Sequence, residues 1–366
     1  MNLKELDEIK YNNQYKNSLN SLSPYIGRLR YECAGYLIDQ YAQPDEILFD
    51  PFCGSGTVLL EGWAKGYNVM GNDLNYYAYV LTMGKLYPYQ TELDALVALD
   101  KYNNRITKKT SQINLDVIPE WVQSFYHPQT LREIIAWTYY LRKNKEWFLL
   151  SCLMGILHHQ RPGFLSYPSS HGVPYLRTNK YPRENYPEMY SYRNVYEKLN
   201  AKIKRSYKYI PNLDFSKDRI VYNKNSASMK INHDRIGTII TSPPYMKSLT
   251  YARDNRLRLW FLGKDDWNSL DQKISPQGND FILMMKQCIK KWSEHQISGD
   301  NCVVVLGDIN IQYKNQKIPL AEMLTEISSK KYRLVEAFYD SIPEAKKQIK
   351  GKDLVKREII TVLERI

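Results

Sequence analysis

A short apolar run, Glu46-Ile47-Leu48-Phe49-Asp50, ends on an acid and passes at once into Pro51-Phe52-Cys53-Gly54-Ser55-Gly56-Thr57. The run reads as a β-strand and Thr57 to Lys65 as a helix closed by Gly66. Asn68-Val69-Met70-Gly71 reads as a second strand, which ends at Asn72-Asp73. This order of strand, loop, helix and strand is the opening of a doubly wound α/β sheet. Gly54 and Gly56 permit positive φ and let a ligand approach the backbone. Ser55 and Thr57 add hydroxyls, and Thr57 is placed to cap the following helix. The loop lacks the Gly-Lys-Ser/Thr ending of a triphosphate-binding loop, and its spacing is not the GxGxxG dinucleotide fingerprint. Asp50 beside the loop would repel phosphates and attract a cationic ammonium group. Asp73 lies 23 residues on (73 − 50), where a carboxylate grips ribose hydroxyls. A ligand with an amino-acid tail, a ribose and a base, and no phosphate, is S-adenosylmethionine. The plain alternative, a tight turn holding two ordinary glycines, leaves Asp50, Phe52 and Asp73 without a reason.

A second motif follows a later strand. Gly237-Thr238-Ile239-Ile240 runs into Thr241 and then Ser242-Pro243-Pro244-Tyr245. The two prolines fix φ and bar a helix, which holds the Ser242 side chain and the neighbouring carbonyls outward. Tyr245 offers a ring face. Such a clamp suits a planar ring that bears an amino group. The lone pair of an exocyclic amine on a base is delocalised into the ring. Acceptors against its two hydrogens favour a tetrahedral nitrogen that can take up a methyl group, aided by proximity and fixed dipoles. No covalent intermediate and no metal is needed. A Pro-Pro turn after an edge strand is the alternative, and pairing with the loop disfavours it.

Sheet-like runs recur at Arg219-Ile220-Val221-Tyr222, Asn301 to Leu306, Lys331 to Phe338 and Glu358 to Leu363, and Asp280 to Ser293 reads as a helix. Between Leu86 and Asp218 the chain is helical and aromatic, with packed helices expected at Trp121 to Trp137, Trp147 to Leu157 and Asn194 to Tyr207. That stretch is too long for a structureless loop. The expected organisation is therefore a polar arm at 1–22, an α/β domain made of 23–85 and 219–366, and a helical insertion at 86–218. Within the insertion, Arg161, His171, Arg177, Lys180 and Arg183 interleave with Tyr167, Tyr175, Tyr181 and Tyr186. Cations among aromatics suit phosphate contacts and base stacking, and equally a solvated loop over packed tyrosines.

A formal net charge of +12 favours a polyanionic partner. The five cysteines include no CxxC pair, and His158-His159 has no ligand partners at metal-site spacing. The polar start MNLKELDEIKYNNQ carries no export signal and no apolar run reaches membrane length, so a cytoplasmic location away from membranes is expected. No Pro-Cys dipeptide is present, which disfavours methylation of cytosine C5.

The two motifs together resemble those of the amino-DNA methyltransferases. DPFCGSGT looks like that family's cofactor motif and TSPPY like its catalytic motif, in the Ser-Pro-Pro-Tyr form usual in the cytosine-N4 branch. Ser23-Pro24-Tyr25-Ile26-Gly27-Arg28 sits where the family can place a second cofactor segment. Asn225-Ser226 looks like the short adenine-contacting motif, with Asn225 where an acid is usual. Tyr251 to Leu257 and Arg357 to Ile360 resemble later family segments.

The resemblance implies a Rossmann-like, S-adenosylmethionine-dependent sheet with a helical insertion, and methyl transfer to N4 of a cytosine flipped out of double-stranded DNA. Asp50, Phe52, Gly54, Ser55, Gly56, Thr57, Asp73 and Asn225 would hold the cofactor. Ser242, Pro243, Pro244 and Tyr245 would hold and activate the amine. A restriction–modification setting with a cognate restriction endonuclease fits the same reading. Arg253, Arg256 and Arg258, close to the clamp in sequence, suit contacts to the target-strand backbone, the alternative being simple pairing with Asp254, Asp265 and Asp266, and proximity to Tyr245 favours the first. Adenine N6 in DNA, a base in structured RNA, and a non-catalytic nucleic-acid-binding chain are the competing readings.

Overall fold

A computed structural model describes residues 4–5, 17–170, 173–244, 250–341 and 357–366. In chain order, strand β1 (Lys4–Glu5) is followed by α1 (Tyr31–Tyr41), β2 (Ile47–Asp50), α2 (Thr57–Ala64), β3 (Asn68–Asn72) and α3 (Tyr76–Leu86). Helices α4 (Glu92–Thr110), α5 (Glu120–Gln123), α6 (Pro128–Lys143), α7 (Trp147–Ile156) and α8 (Val195–Tyr207) come next. Strands return with β4 (Arg219–Tyr222) and β5 (Thr238–Thr241). Helices α9 (Tyr251–Asp254), α10 (Arg256–Phe261), α11 (Trp267–Ile274) and α12 (Gly278–Ser293) lead to β6 (Asn301–Gly307). A hairpin of β7 (Asn310–Tyr313) and β8 (Gln316–Pro319) precedes α13 (Leu320–Ser328), β9 (Tyr332–Ser341) and β10 (Arg357–Arg365).

The main sheet runs β1-β9-β10-β6-β5-β2-β3-β4. Its neighbours are parallel except at β10, which lies antiparallel to both β6 and β9. From β2 the chain steps outward through β3 to β4, then returns to the other side of β2 as β5 and β6. The winding therefore reverses between β2 and β5, and the loops leaving the carboxyl ends of those strands flank a crevice where α/β sheets take ligands. Leu48 and Phe49 of β2 stand opposite Thr238 and Ile239 of β5, and the strand ends meet where the Thr241 hydroxyl donates to Asp50.

Alternation along the strands sends side chains to two cores. Leu48, Val69, Ile240, Val303 and Val305 join one core with α1, α2 and α3. Phe49, Met70, Ile239, Cys302 and Val304 join the other with α12 and α13. On α12, Phe281, Met285, Cys288, Ile289 and Trp292 recur at helical spacing and are buried. The helices between 92 and 207 pack into the first core rather than around one of their own: Leu99, Trp137, Leu149 and Leu199 are contiguous with α3 residues Val80 and Leu81.

Two expectations are corrected in detail. Trp121 to Trp137 is not one helix. Pro128 sits at the first position of α6, where its missing N–H costs nothing, and the His127 ring caps that helix by accepting from the Gln129 N–H. The polar arm also ends earlier than residue 22. Leu19 and Leu22 are fully buried, Ser18 N–H donates to the Tyr209 carbonyl at 2.7 Å, and the Lys202 ammonium donates to the Ser21 carbonyl at 2.7 Å. Leu19 and Leu22 draw the segment into the core, which a count of its polar residues does not show. Residues 1–3 and 6–16 of the arm lie outside the described residues.

Candidate active site

The loop after β2 is shaped by two left-handed glycines. Gly54 has φ 49° and Gly56 φ 69°. Gly56, not Thr57, occupies the cap position of α2, and a Cβ there would lie 2.7 Å from Thr82 Oγ1. Thr57 is the first helical residue, and its hydroxyl lies 3.1 Å from that of Ser55. The capping role expected of Thr57 thus falls to the backbone of Gly56, since only glycine accepts that φ with so little room. Thr82 of α3 donates to the Gly54 carbonyl at 3.1 Å and fixes the loop from below.

Both acids expected at the strand ends are buried there. The Asp50 Oδ1 atom accepts from the Thr241 hydroxyl at 2.7 Å and from the Phe52 N–H at 3.2 Å. Asp50 is 3% exposed, and burial pushes its carboxyl up to about 7, against the lowering pull of those two donors. The Asp73 carboxylate accepts from the N–H of Gly54 and of Asn75, each at 2.8 Å. Burial raises Asp73 to about 6, and the same two N–H groups oppose the rise. Two raised carboxyls in one crevice await positive charge or hydroxyl donors from a ligand.

Two adjoining cavities open over these acids. The smaller, of about 310 Å³, is lined by Asp50, Ser55, Thr57 and the Gly27–Leu29 strap. The larger cleft, of about 550 Å³, is lined by Tyr25, Asp73, Leu74, Asn225, Ser242, Pro244, Tyr251 and Lys273, among others. Phe52, Gly54, Gly27 and Ser242 border both. The smaller cavity fits an amino-acid tail with its ammonium on Asp50. The larger, with Asp73 on one wall and the apolar Phe52, Leu74 and Met284 on others, fits a nucleoside. Phe52 is held edge-on by Trp292, with ring centroids 6.4 Å apart.

Asn225 lines the larger cleft, while its side-chain oxygen accepts from the Ala227 N–H at 2.9 Å. Pro243 and Pro244 are buried at the end of β5, and Ser242 is half-buried at the junction of the cavities. Tyr245 and His171 lie outside the described residues.

The arginine run after the clamp is corrected. Arg258 is 1% exposed and its guanidinium donates to the Met154 carbonyl and to Asn255 Oδ1, each at 3.2 Å, so it faces the core and not a nucleic-acid backbone. Arg256 donates to the Pro174 carbonyl and ties the loop of the helical region to the site. His158 and His159 are also interior: a His158 ring nitrogen lies 3.1 Å from the Ser170 carbonyl, and His159 stacks on Phe164.

Residue-by-residue reading missed Thr241, Asn72 and Thr82. Asn72 is fully buried and its amide donates to the Pro51 carbonyl, the Lys224 carbonyl and Ser226 Oγ, which knots the cofactor loop to the segment of Asn225. Its place before Asp73 at the strand end was the available signal.

Residues 36–124 match the family UPF0020, described as an RMKL-like methyltransferase domain. A stretch of 94 residues is 28% identical to the type II methyltransferase M.MjaII of Methanocaldococcus jannaschii, covering 26% of this chain and 17% of that protein. The chain thus spans under a fifth of that relative's length. Among solved structures, TrmN from Thermus thermophilus aligns over 96% of this chain and 52% of its own, at 10% identity and a TM-score of 0.38. The rRNA methyltransferase aviRa from Streptomyces viridochromogenes aligns over 96% and 93%, at 10% identity and a TM-score of 0.34. The fold is the Rossmann-like sheet of S-adenosylmethionine-dependent methyltransferases, and S-adenosylmethionine is the cofactor.

Proposed function

We propose that this chain is a nucleic-acid base methyltransferase that acts on an exocyclic amine, and that the amine is N4 of a cytosine in duplex DNA. One observation carries the reading: Ser242, the first residue of the Ser-Pro-Pro clamp, borders both the cavity of Asp50 and the cleft of Asp73. A side chain at that junction faces cofactor and acceptor at once. S-adenosylmethionine supplies an electrophilic methyl group when bound. The chain supplies the rest. Asp50 takes the ammonium, Asp73 takes ribose hydroxyls, and the glycine loop lets both come close to the backbone. The Ser242 hydroxyl accepts from the target amine and draws its lone pair out of conjugation. The buried prolines hold that hydroxyl in place at no entropic cost during the reaction.

The basic, tyrosine-rich surface at 173–195 supports the acceptor side of this reading. Arg177 and Lys180 lie over the Tyr181 ring and Arg183 over Tyr190, at 4.8 to 5.5 Å from the centroids. Lys180 and Arg183 are exposed. Cations on such a surface suit contacts to the phosphates of a duplex. Serine in place of an acid at 242 favours cytosine over adenine, by the branch it resembles. A base amine in RNA is the second reading, favoured by exposed Tyr175 and Tyr192, which suit stacking on unpaired bases.

The test is methyl transfer from labelled cofactor to duplex DNA and to tRNA in competition, followed by digestion to nucleosides. N4-methylcytosine from DNA, absent with Ser242→Ala, supports the proposal. N6-methyladenine alone overturns the cytosine assignment, and label in RNA alone overturns DNA as substrate.

A further inference from the structure

The strap that covers the cofactor cavities and the wall that faces the acceptor are joined by a buried polar contact that the proposed chemistry does not require. Tyr25, in the segment 23–29 that carries the strap, and Tyr251, the first residue of α9 and the start of the wall formed by α9 and α10, both line the larger cleft. Behind them stands Tyr77, in the first turn of α3 and fully buried. Its hydroxyl donates to the Pro24 carbonyl at 2.6 Å and has the Ser23 hydroxyl at 2.6 Å. A phenol has one proton, so Ser23 is the donor in the second bond. The other side of the Tyr77 ring receives the Arg258 guanidinium, 5.5 Å from its centroid. Arg258 in turn donates to Asn255, whose amide donates to the Tyr251 carbonyl at 2.9 Å. An unbroken line thus runs from the strap, through one phenol and one guanidinium, to the start of the wall.

Apolar side chains would fill this space with less desolvation. A buried polar line costs more to break than to leave out, and it has few ways to be satisfied. It therefore specifies one placement of strap and wall with respect to each other. We propose that Tyr77 and Arg258 are positioning residues that couple the two: cofactor under the strap sets the wall against which the base is held. The inference rests on the proposed function, with S-adenosylmethionine as the cofactor and a base held against the wall.

The experiment is hydrogen exchange of the full chain with and without saturating S-adenosylhomocysteine, with affinities taken by calorimetry. In the native protein, amides in 251–261 should slow by about tenfold on binding. In Tyr77→Phe the ligand should still bind, about tenfold more weakly. The slowing in 251–261 should be lost, while α12 is unchanged. Arg258→Lys keeps the charge and loses the fork, and should give the same uncoupling should the first variant not fold. Ligand-induced slowing that persists in a folded variant overturns the coupling. Binding without any slowing in the native chain also overturns it and leaves the cofactor assignment intact. No binding by the native chain overturns both.

Discussion

Replacing Asp50 by Asn should make the ligand-free protein more stable and the cofactor complex weaker. The magnitude comes from the burial of this carboxyl, which lifts it from 3.8 to about 7. At 1.36 kcal/mol per unit, a rise of about three units is a penalty of about 4 kcal/mol when the group is fully charged. The sign follows from proton binding. The folded state holds this proton more tightly than the unfolded state. Below the unfolded value of 3.8 there is no penalty, it grows between 3.8 and about 7, and it is complete above. At pH 8 the wild type bears all of it, and at pH 5.5 about half. Asparagine sheds the charge and keeps the bonds, because Thr241 and Phe52 both donate to Oδ1, which an amide oxygen can replace. Thermal unfolding without ligand, followed by circular dichroism, is the assay. At about 2 °C per kcal/mol the variant should melt up to about 8 °C higher at pH 8 and gain about half that at pH 5.5. Calorimetry with S-adenosylmethionine should show at least a tenfold loss, since a charge-assisted bond to the ammonium is worth about 1.5–3 kcal/mol. A variant less stable at pH 8, an equal gain at both pH values, or unchanged affinity would refute the reasoning.

Three further outcomes are expected. Gly56→Ala forces a side chain into a left-handed position 2.7 Å from Thr82 Oγ1, so a loss of at least about 1–2 kcal/mol in stability and of measurable cofactor binding should follow. Ser242→Ala should leave cofactor affinity within about twofold and cut single-turnover methyl transfer by about a hundredfold or more. The double change Lys180→Ala with Arg183→Ala should weaken binding to any duplex sequence and lower the slope of log affinity against log salt by about 2, read by fluorescence anisotropy.

The parts of this molecule that could be read from sequence are those whose cause is local. β2, its glycine loop, α2 and β3 are written in consecutive residues, and the expected boundaries fall within a residue or two of those observed. The strands at 219, 238, 301, 332 and 357 were legible as apolar β-type runs. Their order was not, because nothing in a strand states its neighbour. The β7–β8 hairpin went unread for a related reason. Its strands are short and mostly exposed, and its turn at Lys314-Asn315 uses two non-glycine residues at positive φ. In the site, Asp50 and Asp73 declared themselves by ending strands beside glycines. Thr241 and Asn72 did not, since their worth lies in bonds across 191 and 154 residues of chain. Arg258 misled because three arginines in six residues read as one surface, while the turn between α9 and α10 sends this one inward.

The antiparallel placement of β10 also orders events during synthesis. The strands β2 and β5 that flank the crevice are complete once residue 241 has emerged, and the last residues that line the cleft, Lys273, Ile274 and Met284, follow well before β10. β6 and β9, however, each present an open edge until residues 357–365 arrive to fill the gap between them. Bare edges of apolar strands recruit other chains. A nascent chain therefore carries a finished cofactor loop and an unsealed sheet together, and an early ligand could steady the first half while the second is still exposed to misassembly.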